Sequence, residues 1–243
     1  MKEFSDSICV IIPAYNAQNT ITELLDNLVS VCVRFSSYQI ILVDDHSTDH
    51  SFDMIKKYAL GNKNILGIRL DRNISQQMAI FTGLKYARCD FIVTMDDDLQ
   101  HNPIDIITLY QTIKQGYDAV YALPSDFAKG TLIRRIGTYL RESTIRRLTK
   151  ASKNSKVCSF RMLKKSLADQ IAFIKDKHVY LSIEMLRLTS NITSIKVVYQ
   201  QNAKSRYTLQ SLISQLIWLN RYDSKQNQAI GYTIDEIVNG EVL

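Results

Sequence analysis

The chain is poor in glycine and proline, with 8 and 3 among 243 residues, which argues against collagen-like repeats and long flexible linkers. Its four cysteines, Cys9, Cys32, Cys89 and Cys158, are scattered without paired spacing. That distribution argues against a CxxC redox motif, a thiol-rich zinc site or a disulfide framework. Reduced thiols in or near the core of a cytosolic protein are expected instead. No stretch approaches the ~20 mostly apolar residues of a membrane-spanning helix. The best candidate, Leu209–Leu219, is interrupted by Gln210, Ser211, Ser214 and Gln215. Met1–Ser7 is polar and charged, and the apolar run Ile8–Ile12 stops at Pro13, too early for a secretory leader. Internal repeats and low-complexity tracts are also missing.

What is present is the composition of a globular protein, 46% hydrophobic and 22% charged, with 30 basic and 24 acidic residues and a net charge of +6. The size suits one domain or one domain with an appendage. The first hundred residues alternate strand and helix patterns. Ile8–Ile12, Gln39–Val43, Ile65–Leu70 and Phe91–Met95 are short β-branched or aliphatic runs of the kind buried on both faces of a parallel sheet. Between them, Thr20–Val33, Asp49–Tyr58 and Gln76–Ala87 carry apolar residues at helical spacing. Thr20 with Glu23 reads as a capping box. Strands separated by helices predict an α/β fold with a mostly parallel, Rossmann-like sheet flanked by helices.

In such sheets ligands bind at the carboxyl ends of the strands, and two of those ends are acidic. The second strand runs into Asp44-Asp45 and the fourth into Asp96-Asp97-Asp98. A single aspartate there is a turn or helix cap. Five gathered at one sheet edge repel one another and call for a cation or protons.

Beyond residue 103 the pattern changes. Ile104–Lys114 reads as a helix and Ala119–Ala122 as a strand. Lys129–Lys156 then holds nine basic residues and a single acid, Glu142, interleaved with Leu132, Ile133, Ile136, Tyr139, Leu140, Ile145 and Leu148. This predicts one or two basic amphipathic helices suited to an anionic membrane surface, against the plain alternative of a solvated charged face. Nucleic-acid binding is not expected, since no recognised module accompanies the arginines. Phe160–Lys164 and Ile195–Tyr199 read as strands, and Ser166–Ile174, Tyr180–Leu188 and Leu209–Asn220 as helices. The polar tail 223–243 is left open between a disordered end and a small docking element.

Taken in order, VIIPAYN, ILVDDHSTD, RNISQQMAIFTGLKYARCD, FIVTMDDDLQHNP, SFR at 159–161 and KSRYTL at 204–209 resemble family 2 glycosyltransferases. Within that family they resemble the branch of dolichol-phosphate mannosyltransferase and bacterial polyprenyl-phosphate sugar transferases. The resemblance spans about residues 8–220. It implies a GT-A fold over 1–222, with a nucleotide-binding half (1–103) and an acceptor half (104–222). It also implies an inverting, metal-dependent transfer from a nucleotide diphosphate sugar to a polyprenyl phosphate or lipid-linked acceptor in surface-polysaccharide synthesis. UDP is the first choice of nucleotide, with GDP and dTDP as alternatives. By the resemblance, Pro13, Ala14, Tyr15, Asn16 and Asp45 contact base and ribose. Asp96 and Asp98 match the ends of a DxD motif that holds Mg²⁺ or Mn²⁺, oxygen-seeking ions. Asp97 between them goes with the donor residues or is a turn residue. Gln100 and Arg72 are assigned to the donor pocket, Arg161 to an anionic group, and Ser205, Arg206 and Tyr207 to the diphosphate and acceptor. Location at the inner face of the membrane follows, with a membrane-protein partner as a further implication.

The chain departs from that pattern in three places. Ser159 stands where the branch commonly has an aspartate, Ser75 where a glycine is usual, and Ser182 where an acidic residue is frequent; Glu184 is the nearest carboxylate and the candidate base for a hydroxyl acceptor. A phosphate acceptor is already an anion and needs no base, so these departures fit that acceptor. The alternatives are transfer to a sugar hydroxyl and a non-catalytic, nucleotide-sugar-binding subunit. A nucleotidyltransferase is remote, because PAYNAQN lacks the glycines of a phosphate loop.

Overall fold

The computed structural model describes residues 2–125, 143–145, 147–149, 156–174, 179–200 and 231–239. The β-branched runs build its centre. β1 (Ser7–Ala14), β2 (Ser37–Asp44), β3 (Ile65–Leu70) and β4 (Phe91–Thr94) lie parallel in the order β4-β1-β2-β3. Their side chains alternate between two cores. Ile8, Val10 and Ile12 of β1 face one, and Cys9 and Ile11 the other. This is the period-2 geometry of a strand buried on both sides. α1 (Ile21–Cys32), α2 (Ser51–Gly61) and α4 (Asp105–Ile113) cover the first face. α3 (Gln76–Leu84), α5 (Lys165–Ala172) and α6 (Leu181–Leu188) cover the second.

The sheet extends both ways from this parallel centre. β6 (Arg161–Lys164) pairs antiparallel with β4 and with β5 (Ala119–Pro124), and β7 (Ile192–Val197) runs parallel to β5 at one edge. β8 (Ile234–Asn239) pairs antiparallel with β3 and forms the other edge of the eight-stranded sheet. The tail left open by the sequence therefore contributes a strand. The chain runs outward from β1 through β2 to β3, then returns to place β4 on the far side of β1. That reversal is a topological switch point, and it opens a crevice at the carboxyl ends of β1 and β4.

Two local expectations change. The Thr20 side chain makes no cap bond; its hydroxyl donates back to the Ala17 carbonyl at 3.0 Å, so no capping box forms. The strand expected at Ile195–Tyr199 begins three residues earlier. The basic segment Lys129–Lys156 and the helix expected at Leu209–Asn220 lie outside the described residues, apart from 143–145 and 147–149, which are helical, and Lys156. Ser75 needs no glycine: its backbone is extended (φ 168°), and its hydroxyl caps α3 by accepting from the Met78 N–H.

Gly83 sets how closely α3 lies on the sheet. A Cβ there would sit 2.5 Å from Cγ2 of Ile11, a fully buried side chain with nowhere to move. We predict that Gly83→Ala lowers unfolding free energy by about 1–2 kcal/mol, overpacking exceeding the gain in helix propensity. Gly61→Ala, whose added methyl meets nothing within 4 Å, should be neutral or mildly stabilising. Urea unfolding of both variants tests the pair, and equal behaviour would refute the packing argument.

Candidate active site

The strand exits meet at the switch point through bonds from one loop to the next. After β1, Asn16 takes a left-handed conformation (φ 50°). Its N–H donates to Ser47 Oγ at 2.9 Å, and its side-chain oxygen accepts from the Thr48 N–H at 2.9 Å, so this residue ties the β1 exit to the β2 exit. Tyr15 is 42% exposed, and its N–H donates to Asp97 Oδ2 at 3.2 Å. Pro13 and Ala14 pair with Val43 and Asp44 in the last register positions of β1 and β2.

Asp44 and Asp45 diverge, as consecutive strand residues must. Asp44 is fully buried, accepts from the Ser47 N–H at 3.1 Å and lies 3.8 Å from Arg69. Asp45 accepts from the Ile74 N–H at 2.8 Å, which fastens the β3 exit loop to the β2 exit. Burial pushes the Asp45 carboxyl up to about 6; the Ile74 and Ser75 N–H groups oppose that rise and neighbouring Asp44 adds to it.

At the β4 exit the three aspartates have different partners. Asp96 is held from both sides, by Gln76 Nε2 on Oδ1 and by Ser159 Oγ on Oδ2, each at 2.5 Å. Asp97 joins the β1 exit through Tyr15, which makes it more than a turn residue. Asp98 accepts from the Gln100 N–H at 3.1 Å across a left-handed Leu99 (φ 60°). Among the described residues no group of three or more His, Cys, Asp or Glu side chains is assembled around a metal position.

Two residues that sequence reasoning passed over belong here. Gln76 lies inside the quoted RNISQQ run, but nothing in its spacing announces a carboxylate partner. His101 is buried, stacked on Phe160 at 4.8 Å and edge-on to Tyr199 at 4.8 Å. Its Nδ1 accepts from the Asp96 N–H at 3.3 Å, which places the ring proton on Nε2. Burial lowers its pKa, against the pull of Asp96 and Asp98.

Arg161 is fully buried. Its Nε donates to Thr94 Oγ1 at 3.0 Å, an Nη donates to Ser182 Oγ at 2.5 Å, and the guanidinium lies 5.7 Å from the Tyr121 ring centroid. Thr94 in turn donates to the Ser159 carbonyl at 2.6 Å. A polar chain thus runs from Ser182 through Arg161, Thr94 and Ser159 to Asp96. The two serines that replace expected acids both lie in it. Glu184 is not part of this chain: it is buried and accepts from Arg187 at 3.2 Å on the same helix, two residues and hence about 200° around from Ser182. Arg72 is exposed, next to Gly231. Ser205, Arg206 and Tyr207 lie outside the described residues.

The raised Asp45 pKa has a measurable sign. A carboxyl that titrates near 6 in the folded chain and at 3.8 when unfolded stabilises the fold fully below 3.8, and that contribution is lost as pH rises through about 6. Asp45→Asn keeps an acceptor for the Ile74 N–H but cannot ionise. Between pH 4 and 7.5 its unfolding free energy should gain about 2 kcal/mol relative to wild type, read from urea titrations at both pH values. A constant difference would mean that Asp45 titrates normally.

Comparison with known proteins places this geometry. An undecaprenyl-phosphate 4-deoxy-4-formamido-L-arabinose transferase from Edwardsiella ictaluri is 29% identical over 212 residues, covering 85% of this chain and 65% of that protein. The enzyme of the same name from Pseudomonas fluorescens is 28% identical, with 85% and 62% covered. The chain thus spans a little under two thirds of the length of these relatives. Among solved structures, a Pyrobaculum calidifontis mannosyltransferase with GDP-Man and Mn²⁺ superposes with a TM-score of 0.62 at 15% identity, covering 93% of this chain and 66% of that one. Glucosyl-3-phosphoglycerate synthase from Mycobacterium tuberculosis, with Mn²⁺ and UDP-glucose, gives 0.60 at 14% identity, covering 97% and 90%. These likenesses identify the fold as GT-A. The model of glycosyl transferase family 2 matches residues 9–172, more than half of the chain, and the chain therefore belongs to that family.

Proposed function

We propose that this chain transfers a sugar from a nucleotide diphosphate sugar, with UDP the first choice of nucleotide, to a polyprenyl phosphate in cell-surface glycan synthesis, with inversion at the anomeric carbon. The observation that carries the reading is the convergence of Asp45, Asp96, Asp97 and Asp98 with the Pro13–Asn16 segment at the end of β1 on the β1/β4 switch crevice, in a chain of family 2. An ionised Asp45 accepts hydrogen bonds from base N–H or ribose hydroxyl groups, and the exposed Tyr15 ring flanks the base. Asp96, fixed by Gln76 and Ser159, keeps a set orientation towards ribose or metal. The division of 1–222 into a donor half ending at 103 and an acceptor half belongs to this proposal, with β8 of the 223–243 tail joined to the donor side.

Asp98 and Asp96 offer hard oxygen donors, which fits Mg²⁺ or Mn²⁺, and the relatives of known structure named above hold Mn²⁺. Asp98 would hold the ion, and Asp96 would contact the ion or the ribose. When bound, such an ion neutralises charge on a departing diphosphate. The acceptor side of the reading rests on the two serines, Ser159 and Ser182; Arg161 is buried between Thr94, Ser182 and Tyr121 and supports that polar chain from within the fold. A phosphate oxygen attacks without a base, and Glu184 is occupied by Arg187, which disfavours a hydroxyl acceptor. Among the described residues no helix is long and apolar enough to cross a membrane. Peripheral attachment at the inner face through the basic segment Lys129–Lys156, at an anionic surface, completes the proposal.

The test is transfer from UDP-, GDP- and dTDP-linked sugars to undecaprenyl phosphate in vesicles with Mn²⁺, following lipid-linked product. Wild type should form product with one donor set, and Asp98→Ala should lose at least about a hundredfold in turnover with unchanged circular dichroism. Full activity in Asp98→Ala would overturn the metal assignment. Product formed only on free sugars would overturn the acceptor.

A further inference from the structure

The loop Asp71–Ser75 and the following Gln76 link the two acidic strand exits: the Ile74 N–H binds Asp45 and the Gln76 amide binds Asp96. Its inner side is therefore committed to the site. What fixes its outer side comes from the far end of the chain. The Asp71 N–H donates to the Thr233 carbonyl at 3.0 Å, and the Thr233 hydroxyl donates to Asp71 Oδ2 at 3.1 Å. Tyr232 OH lies 2.9 Å from Thr82 Oγ1 on α3, the helix this loop leads into. The β3–β8 pairing shifts register between Arg69 and Leu70, leaving Asp235 as the extra residue, 3.9 Å from Arg69. A bulge of this kind bends a strand locally and recurs next to active sites. Arg69 also faces Asp44, so one guanidinium is shared between β2 and the end of the chain.

We infer that residues 231–239 act as a clamp that positions the donor loop, with Thr233 and Tyr232 as positioning residues for Ile74 and, through it, Asp45. The clamp lies outside residues 9–172, the part matched by the family model. The physical need is plain. Among the described residues Asp71 Oδ1 has no partner, and the Thr233 hydroxyl is the side-chain donor to Asp71 Oδ2, in a solvent-exposed bond that works together with the backbone bond to hold the start of the loop. Removing that hydroxyl takes one side-chain bond from the half-buried Asp71 and leaves the backbone bond to hold the loop alone. The loop should then open more often, and the Ile74 N–H should leave Asp45 more often. The consequence for nucleotide binding rests on the donor-site reading above; the consequence for loop opening does not.

The test uses the full chain with Thr233→Val, which removes the hydroxyl and keeps the shape, Thr233→Ser, which restores it, and Tyr232→Phe. In the ligand-free protein, amide hydrogen exchange at Ile74 and Ser75 should quicken about fivefold in Thr233→Val and in Tyr232→Phe. It should return to the wild-type rate in Thr233→Ser, with the amides of β1 and β2 unchanged throughout. UDP with Mn²⁺, titrated calorimetrically, should bind about fivefold more weakly to Thr233→Val and normally to Thr233→Ser. Unchanged exchange at Ile74, or a uniform rise across the whole sheet, would overturn the clamp. A wild-type chain that binds no UDP would count against UDP as the donor nucleotide, and exchange at Ile74 would then decide the clamp alone.

Discussion

Like charge gathered at one sheet edge is the constraint around which the molecule is arranged. Five aspartates leave two strands within a few residues of one another, and each carboxylate must be met by donors or by partial protonation. The fold answers with a division of labour. Asp44 turns inward to Ser47 and Arg69, and Asp97 takes the Tyr15 N–H. Asp96 takes two neutral side chains, and Asp45 takes backbone donors and a raised pKa. Neutral donors are the informative part. A carboxylate held by an amide and a hydroxyl keeps its charge unspent, available to a ligand. A carboxylate held by an arginine would not.

The loops that provide these donors are held by side chains where other chains would use glycine. Asn16, His46 and Leu99 all take positive φ angles of 50–62°, and all three follow strands that end at the crevice. Backbone of this kind is costly for residues with a Cβ and persists only where surrounding contacts enforce it. The contacts are visible for the first two. Asn16 is bound to Ser47 and Thr48, and a His46 ring nitrogen meets the Leu70 carbonyl at 3.1 Å, linking the β2 exit to the β3 exit. Strain, loop ties and carboxylate partners therefore belong to one structure, which holds the site in shape before any ligand arrives.

Much of this could be read in the sequence, for physical reasons that differ by element. The central strands were legible because burial on both faces demands unbroken aliphatic runs such as ICVII and QIILV. The acidic exits were legible because charge directly after such a run has few structural explanations. β8 was not. It is an edge strand in which only Val238 is buried, so its sequence carries almost no apolar pattern, and its partner β3 lies more than 160 residues earlier. The β7 boundary slipped for the same reason. Thr20 was misread because a hydroxyl at a helix start can bond backward to a carbonyl as well as forward to an N–H. The partnerships of Gln76, Ser159 and Ser182 are set by long-range packing, which local spacing does not encode, although the departures at Ser159 and Ser182 marked the right positions.

The central claim is that this carboxylate-lined crevice is a nucleotide diphosphate pocket. The most direct measurement is a thermal-shift series with UDP, GDP, dTDP and CDP, each with and without Mn²⁺. A ligand that binds only the folded chain adds about 2.7 kcal/mol of apparent stability at a hundredfold excess over its dissociation constant. A clear rise in melting temperature with one nucleotide, larger with Mn²⁺ and lost in Asp98→Ala, is the predicted result. No shift with any of the four, with or without the ion, would contradict it.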